Sequence, residues 1–528
     1  MLQKSLGEIL LGHIETCVTI LKEKGPLLGS ELAKELISVS GIKPNYARQV
    51  IRRARENKTI NSTFPVKFQK QEMIYSLTGQ GLEKKLKAVI YDKSVKMARL
   101  LDAMVDNNGF LAYEEFCKIS AGFIPEAADY DSKHKTVDAL LEDMKKLGII
   151  KNIVEINGYK FVLADAKWAS KVRFDETLSI VRINSLERSK IYIQELLLWL
   201  ERLNIAGWNT TKLIENDEYG KNGFWWDAYG FSYIWGLYKS KSERGAFDPS
   251  IEKSGSLIVV ESVLHRQMKI YDVAGFIDRI DMIYHRLKIK DNFRIIPICF
   301  ANSLESEAFE LAKTKGIIVA SVSEVFGTKI AEALMKIEKI DLKDINSDEI
   351  GEIIKVLEGQ EDGKFGNLKG YVFNFLIASV MNIQGYGTPK IGRKFKFDGQ
   401  ECEVDLVFEL EDDLVICETK GYNKSKLIKL GGDPNESDSV RKFFEKTVGI
   451  VKKSTGRNVI PLFIASCSFE DDALKYMEQK MRTKKIKRLL ENPRAPRTIY
   501  YDHKSLLDML SHKSAYYEHR KVITEYFR

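Results

Sequence analysis

Several things are scarce in this 528-residue chain, and each scarcity excludes something. The six cysteines (Cys17, Cys117, Cys299, Cys402, Cys417, Cys467) are scattered through apolar strings with no CxxC pair. Neither a zinc cage nor a disulfide framework is indicated, and a reducing, cytoplasmic setting is the expectation. Seven histidines show no metal-ligand spacing. Eleven prolines and 35 glycines are too few for a fibrous or disordered polymer, and 44% hydrophobic with 30% charged residues is ordinary globular composition. No apolar run reaches the roughly 20 residues that a bilayer span needs; IYIQELLLWL at 191–200 is interrupted by Gln194 and Glu195. The opening MLQKSLGEILLGHIE is amphipathic, bracketed by Glu8 and Glu15, and lacks a small-residue cleavage site, so it does not read as an export signal. The Gly pair in LGGDPNES (430–437) lacks the GK[ST] element of a phosphate loop, so no ATP-driven motor is legible. At roughly 100–200 residues per domain, the length allows three to five domains.

Positive charge is present but unevenly placed. Residues 1–90 hold fifteen Lys or Arg against eight Glu and no Asp, which accounts for seven of the eight net positive charges of the chain. Such a local field suits a polyanion. The pattern here predicts a helix over 6–21 ending before Gly25-Pro26, a helix over 31–37 capped by Ser30, and a helix starting at Pro44. In that third helix Ala47, Val50, Ile51 and Ala54 recur at helical spacing, which turns Asn45, Arg48, Gln49 and Arg52 outward. Arg, Asn and Gln are the side chains that read base edges and phosphates in a major groove. Residues 59–77 then read as a hairpin with Lys67 and Lys70 near its turn. This segment resembles a winged helix-turn-helix domain, and the resemblance implies binding of duplex DNA through Asn45, Arg48, Gln49, Arg52 and Lys67.

Residues 94–164 repeat the plan, with helices near 96–105, 113–120 and 136–147 and a hairpin over 152–163. The third helix here carries Asp138, Glu142 and Asp143 against Lys145 and Lys146, so its face is not basic. A spacer or interface is expected rather than a reader of bases. From about 185 onward helices and strands alternate, as in α/β domains. Two stretches look alike: in each a helix leads to a Gly-aromatic pair, then to strands with isolated carboxylates, then to strand, helix, strand, helix. The first covers 171–337 and the second 365–528, with the acidic, helix-prone stretch 338–364 expected as the connection. The Trp residues of the first copy (Trp225, Trp226, Trp235) read as core.

The strongest chemical signal is GQECEVDLVFELEDDLVICETKGY at 399–422. Polar and apolar residues alternate from Glu403 to Phe408, and 414–417 is an apolar run, with Glu411, Asp412 and Asp413 at the turn, so a hairpin is predicted. Glu418 and Lys420 are two apart and share a face. A loop of two or four residues puts Asp405 on that same face, opposite Lys420 or Glu418 respectively; an odd loop turns it away. Two buried like charges raise one pKa unless a cation neutralises them, and Mg²⁺ is bound by one or two carboxylates plus waters and phosphate oxygens. On this reading Asp405 and Glu418 hold Mg²⁺ (or Mn²⁺), with the Thr419 carbonyl a further ligand. Lys420 then positions the attacking water or stabilises charge on phosphorus.

At these residues the chain resembles the PD-(D/E)xK nuclease superfamily, which includes many restriction endonucleases and Holliday-junction resolvases. Asp405 followed by Glu418-Thr419-Lys420 fits its pattern, and the resemblance spans roughly 365–510. Val404 stands where the family has Pro, and Asn374 stands where many members place a Glu in the first core helix; Glu403 shares the Asp405 face and is the candidate accessory ligand. In the first copy the matching carboxylates are Glu195, Asp227 and Glu261, but Val263 replaces the lysine. That copy is expected to be a degenerate nuclease core, the alternative being that His265 or Arg266 stands in for the lysine. The basic residues Lys424, Lys426 and Lys429, in a loop expected to be flexible at the site mouth, and those of RTKKIKR (482–488) are candidates for phosphate contact.

The fold class expected is therefore multidomain α+β and α/β: two winged-helix domains (1–90 and 91–170) followed by two restriction-endonuclease-like domains. The expected activity is Mg²⁺-dependent cleavage of double-stranded DNA in restriction or defence, with one active triad per chain and so a homodimer on DNA. Two alternatives stay open: a non-enzymatic DNA-binding regulator with relic nuclease domains, and a repair or recombination nuclease subunit that needs a partner.

Overall fold

The computed structural model describes residues 6–122, 136–156, 158–169, 174–214, 226–232, 234, 256–286, 294–339, 346–358, 366–387, 389–411 and 413–527. It is a mixed α+β, multidomain protein, with five small sheets among the described residues. The chain divides into two compact units, residues 1–186 with 197–320 and residues 187–196 with 321–528. Among the described residues no helix is long and apolar enough to cross a membrane.

The first unit opens with α1 (Leu6–Lys24), β1 (Leu27–Leu28), α2 (Gly29–Ser40), α3 (Pro44–Glu56), β2 (Asn61–Ser62) and β3 (Ile74–Ser76), the strands pairing in the order β1-β3-β2. Pro44 starts α3, where its missing N–H leaves nothing unsatisfied. Ala47, Val50, Ile51 and Ala54 are buried with Cys17, Ile20, Leu32 and Leu36 in one core, as their spacing requires. Ser30 does not cap α2. It lies inside the helix, and the carboxylate of Glu31 reaches back to accept the Leu28 N–H at 2.7 Å instead.

Next come α4 (Glu83–Lys93), α5 (Val95–Asp106), β4 (Phe110–Ala112), α6 (Tyr113–Ser120), α7 (Val137–Lys146), β5 (Ile150–Ile156) and β6 (Tyr159–Ala164), with the strands in the order β4-β6-β5. The Thr136 hydroxyl caps α7 by accepting the Ala139 N–H at 3.1 Å. This segment shares a core with β3 and the loop before it, since Val66, Phe68 and Ile74 pack with Leu86, Ile90 and Leu101.

The unit continues through α8 (Glu176–Arg202), whose residues 187–196 belong to the second unit, then β7 (Lys212–Leu213), β8 (Ala228–Ser232), β9 (Ser256–Val263), α9 (Ile270–Arg286), β10 (Arg294–Ala301), α10 (Ser306–Thr314) and β11 (Ile318–Ser321). The sheet runs β11-β10-β9-β8-β7, with β9 fully buried and paired in parallel with β10 and antiparallel with β8. Helices α6 and α9 touch backbone to backbone at Gly275, where an added Cβ would meet the Lys118 carbonyl at 2.8 Å and the Ile119 Cα at 3.0 Å. Of the three Trp expected in the core, Trp226 is buried there; Trp225 and Trp235 lie outside the described residues.

The second unit holds α11 (Val322–Phe326), α12 (Thr328–Lys339), α13 (Ser347–Glu358), α14 (Gly366–Met381), β12 (Lys390–Phe397), β13 (Gln400–Glu409), β14 (Asp413–Lys420), β15 (Leu427–Ile428), α15 (Val448–Thr455), β16 (Asn458–Ala465), β17 (Ser468–Phe469), α16 (Asp471–Arg482), α17 (Lys484–Leu490), β18 (Tyr500–Tyr501), α18 (His503–Ser511) and α19 (Tyr517–Tyr526). Within 338–364, α13 buries Ile350, Ile353 and Ile354, and Lys521 of α19 pairs with Asp348 at its start. The described part of that stretch is thus packed structure. The main sheet runs β12-β13-β14-β16-β18, antiparallel as far as β14 and parallel from β14 through β18. Among the described residues each unit therefore carries one five-stranded sheet with the same switch from antiparallel to parallel at its third strand in chain order, β9 or β14.

Candidate active site

The β13–β14 hairpin pairs Leu406 with Cys417, Val407 with Ile416, Phe408 with Val415 and Glu409 with Leu414. Leu410 and Asp413 bracket the turn, the Leu410 N–H donating to the Asp413 carbonyl at 3.0 Å. The loop is even, so continuing the register sets Asp405 opposite Glu418. The ladder ends at Leu406–Cys417. Beyond it the Asp405 carboxylate takes over, its Oδ2 accepting the Thr419 N–H at 2.7 Å and the Thr419 hydroxyl at 3.3 Å. That N–H would otherwise be orphaned where the strands part.

Lys420 follows on the same face as Glu418. Its Nζ lies 2.9 Å from Glu418 Oε1 and 3.1 Å from Asp438 Oδ1. Asp438 sits in the 430–438 segment with a left-handed φ of 55°. The Lys420 and Glu418 side chains are only 16% and 20% exposed, enough to leave one open side. Burial would depress the Lys420 pKa, but Glu418 and Asp405 outweigh it and hold the ammonium firmly charged. Asp405 goes the other way: burial first, then the Glu418 charge, push its carboxyl up to about 7. Among the described residues no Lys or Arg comes within ion-pair distance of Asp405, so the pair is short of one cation.

Helix α14 covers the same spot. Asn374, partly buried, meets the Thr419 hydroxyl through its side-chain oxygen. This close approach depends on Gly421, where a Cβ would sit 2.6 Å from the Phe373 Cβ and 3.0 Å from the Phe527 ring. Glu403 is exposed, and its carboxylate leans over Gly392 of β12, where an added Cβ would be 3.5 Å from Oε1. Among the described residues no three His, Cys, Asp or Glu side chains form a metal-holding cluster. Asp405 and Glu418 are a pair, and a hard divalent ion that keeps most of its waters needs no more.

The segment expected to be flexible is held by several side-chain contacts. The Gly432 N–H donates to Glu436 at 2.6 Å, Lys446 to Asn435 Oδ1 at 2.9 Å, Arg441 to the Gly432 carbonyl, and Lys429 pairs with Glu436. Lys424 and Lys426 are exposed, and Lys426 lies 3.4 Å over the Tyr422 ring. The basic residues of 482–488 are exposed around the start of α17.

On α3, Asn45, Arg48, Gln49 and Arg52 are exposed together, and Lys67 is exposed between β2 and β3. Arg52 is partly engaged, its Nε donating to Glu56 at 2.7 Å. Arg55 stacks over Phe64 at 4.5 Å and fixes the base of the hairpin.

In the first unit, the β8–β9 pairing of Ala228 with Val260 continues to Asp227 opposite Glu261. Asp227 Oδ2 accepts the Ser262 N–H at 2.5 Å, the same use of an aspartate against the residue after the glutamate. Glu195 is buried in the part of α8 that belongs to the second unit. Neither His265 nor Arg266 stands in for the lysine. His265 Nε2 meets Glu115 at 2.8 Å, and Arg266 forms a fork with Asp272 at 2.6 and 2.7 Å. The cations at the acidic pair are Lys118 of α6 and Arg279 of α9. Sequence reading missed both, although Glu115 and Lys118 interrupt the buried apolar face of α6 and so mark it as unusual. Comparison of the chain with protein-family models, curated proteins and solved structures finds no match.

Proposed function

We propose that the chain is a Mg²⁺-dependent endonuclease acting on double-stranded DNA, with the restriction-endonuclease-like core in residues 365–528 and a winged helix in residues 1–90 that binds the duplex. The observation that carries this reading is the meeting of Asp405, Glu418 and Lys420 on one face of the β13–β14 hairpin, with no ion-pair partner for Asp405 among the described residues. Asp405 and Glu418 are the residues that would hold Mg²⁺, with Mn²⁺ a substitute. When bound there the ion supplies Lewis-acid polarisation of the phosphodiester and a water of lowered pKa.

The chain's own residues do the rest. The Thr419 N–H and hydroxyl orient the Asp405 carboxylate, and Asn374 holds that hydroxyl. Glu418 and Asp438 hold the Lys420 ammonium at the open side of the pair, where it can orient a water or meet developing negative charge on phosphorus. Lys424 and Lys426, and Arg48 with Lys67 on the other unit, offer phosphate contacts that position DNA without reading it. One such triad cuts one strand, so double-strand cleavage calls for a homodimer on DNA. A separate binding segment joined to a cutting domain suits restriction or another defence against foreign DNA.

Supercoiled plasmid with Mg²⁺ tests the proposal. Wild type should nick or linearise it, and Lys420→Ala should bind DNA with equal affinity and cut at least 10²-fold more slowly. Equal behaviour of the two proteins would leave only a DNA-binding regulator.

A further inference from the structure

The Asp227–Glu261 pair repeats the geometry of Asp405–Glu418, yet it is filled from within the chain. Lys118 Nζ lies 2.8 Å from Asp227 Oδ2, 3.0 Å from Asp227 Oδ1, 3.1 Å from the Ser262 carbonyl and 3.5 Å from Glu261 Oε1. These oxygens come from the aspartate, the glutamate and the residue after the glutamate. The same three positions in the second unit are Asp405, Glu418 and Thr419, the donors proposed for a divalent ion. On the far side Arg279, stacked 5.2 Å over Trp226, gives Nη2 to Glu261 Oε2 at 2.7 Å. Two carboxylates thus face two cations, and the buried charge is balanced.

A lysine moved here for catalysis would need access to a phosphodiester. Glu261 is only 1% exposed, against 20% for Glu418 at the matching position, so a phosphodiester has far less access to this pair. What the arrangement does offer is attachment. Lys118 belongs to α6, while Asp227 directly precedes β8 and Glu261 lies in β9 inside the sheet, and one further ion pair and one hydrogen bond join the same two segments. Arg99 of α5 meets Asp278 of α9 at 2.8 Å, and Glu115 of α6 meets His265 at 2.8 Å. The contact across Gly275 brings the two backbones close enough for Lys118 to reach.

We propose that the Lys118 ammonium takes the place of a divalent cation at the Asp227–Glu261 pair, so that a second copy of the metal-binding hairpin serves as an ionic socket that locks the 95–164 segment onto the β9 sheet. This inference rests on the reading that Asp405 and Glu418 hold a metal. Its test is a count of bound Mn²⁺ by electron paramagnetic resonance on the full chain.

Wild type should bind one ion, and Asp405→Ala/Glu418→Ala none. In that double-variant background, Lys118→Ala should gain one ion and lose it again when Asp227→Ala is added. The proposal is overturned if the background with Lys118 intact binds an ion that Asp227→Ala removes, or if folded Lys118→Ala gains none. Should Lys118→Ala fail to fold, Lys118→Met alone and Lys118→Met/Asp227→Asn decide. Recovery of the melting midpoint in the pair supports the lock, and no recovery overturns it. Failure of the Asp405–Glu418 reading shows separately, as a wild-type ion count that those two substitutions leave unchanged.

Discussion

Replacing Asp405 by Asn should stabilise the metal-free protein at pH 8 and leave it unchanged at pH 4. Asparagine keeps an oxygen for the Thr419 N–H but removes the charge that burial and Glu418 oppose. The Asp405 carboxyl is pushed from its ordinary 3.8 up to about 7, so the folded state binds more protons than the unfolded state across that window. Stability from this group is therefore fully present below pH ~3.8 and is lost as pH rises through ~7. At ~1.4 kcal/mol per pKa unit this shift corresponds to a loss on the order of 2–4 kcal/mol. For a unit of about 200 residues this is a rise of roughly 5–10 °C in the melting midpoint of Asp405→Asn over wild type at pH 8. The assay is differential scanning calorimetry of both proteins from pH 4 to pH 8 in chelator, then with Mg²⁺. Added Mg²⁺ should raise the wild type and not the variant, because a divalent ion needs the ionised carboxylate. Parallel pH profiles for the two proteins, or a variant less stable at pH 8, would refute the claim that this carboxylate is held charged at a cost.

Other substitutions probe other parts of the structure. Gly421→Ala should cost about 1–3 kcal/mol, because its Cβ would lie 2.6 Å from the Phe373 Cβ and push α14 with Asn374 off the site; urea unfolding and cleavage rate should fall together. Gly275→Ala should likewise destabilise the first unit by about 1–3 kcal/mol despite the better helix former, since the Cβ meets backbone rather than a side chain. Glu56→Ala releases Arg52 and should tighten duplex binding severalfold at low salt, as read by fluorescence anisotropy. Arg48→Ala and Lys67→Ala should each weaken it and lower the salt slope by about one.

How much was legible in the sequence depended on whether the signal was local. The Pro44 start of α3 and its four buried positions follow from period and backbone chemistry alone. So did the convergence of Asp405 with Glu418, because alternation in a hairpin leaves only the parity of the loop to be settled. Two-residue β1 carries no period and could not be seen. Ser30 was misplaced as a cap because a longer side chain, Glu31, does the capping from inside the helix. Lys118 lies 109 residues from Asp227, and no local pattern links an α6 lysine to a strand that far away. Its only local trace is that an ammonium is set among Phe116, Cys117 and Ile119, where a side chain without a partner would be costly.

The four residues from Leu410 to Asp413 carry an arithmetic constraint of their own. Lengthening or shortening that turn by two keeps every side chain of β13 on its present side. A change of one must be absorbed as a bulge inside the turn, or it rotates Asp405 through the sheet and brings Val404 round to face Glu418. Drift in this turn should therefore proceed in even steps, a rule that acts on length and is blind to which amino acids are inserted.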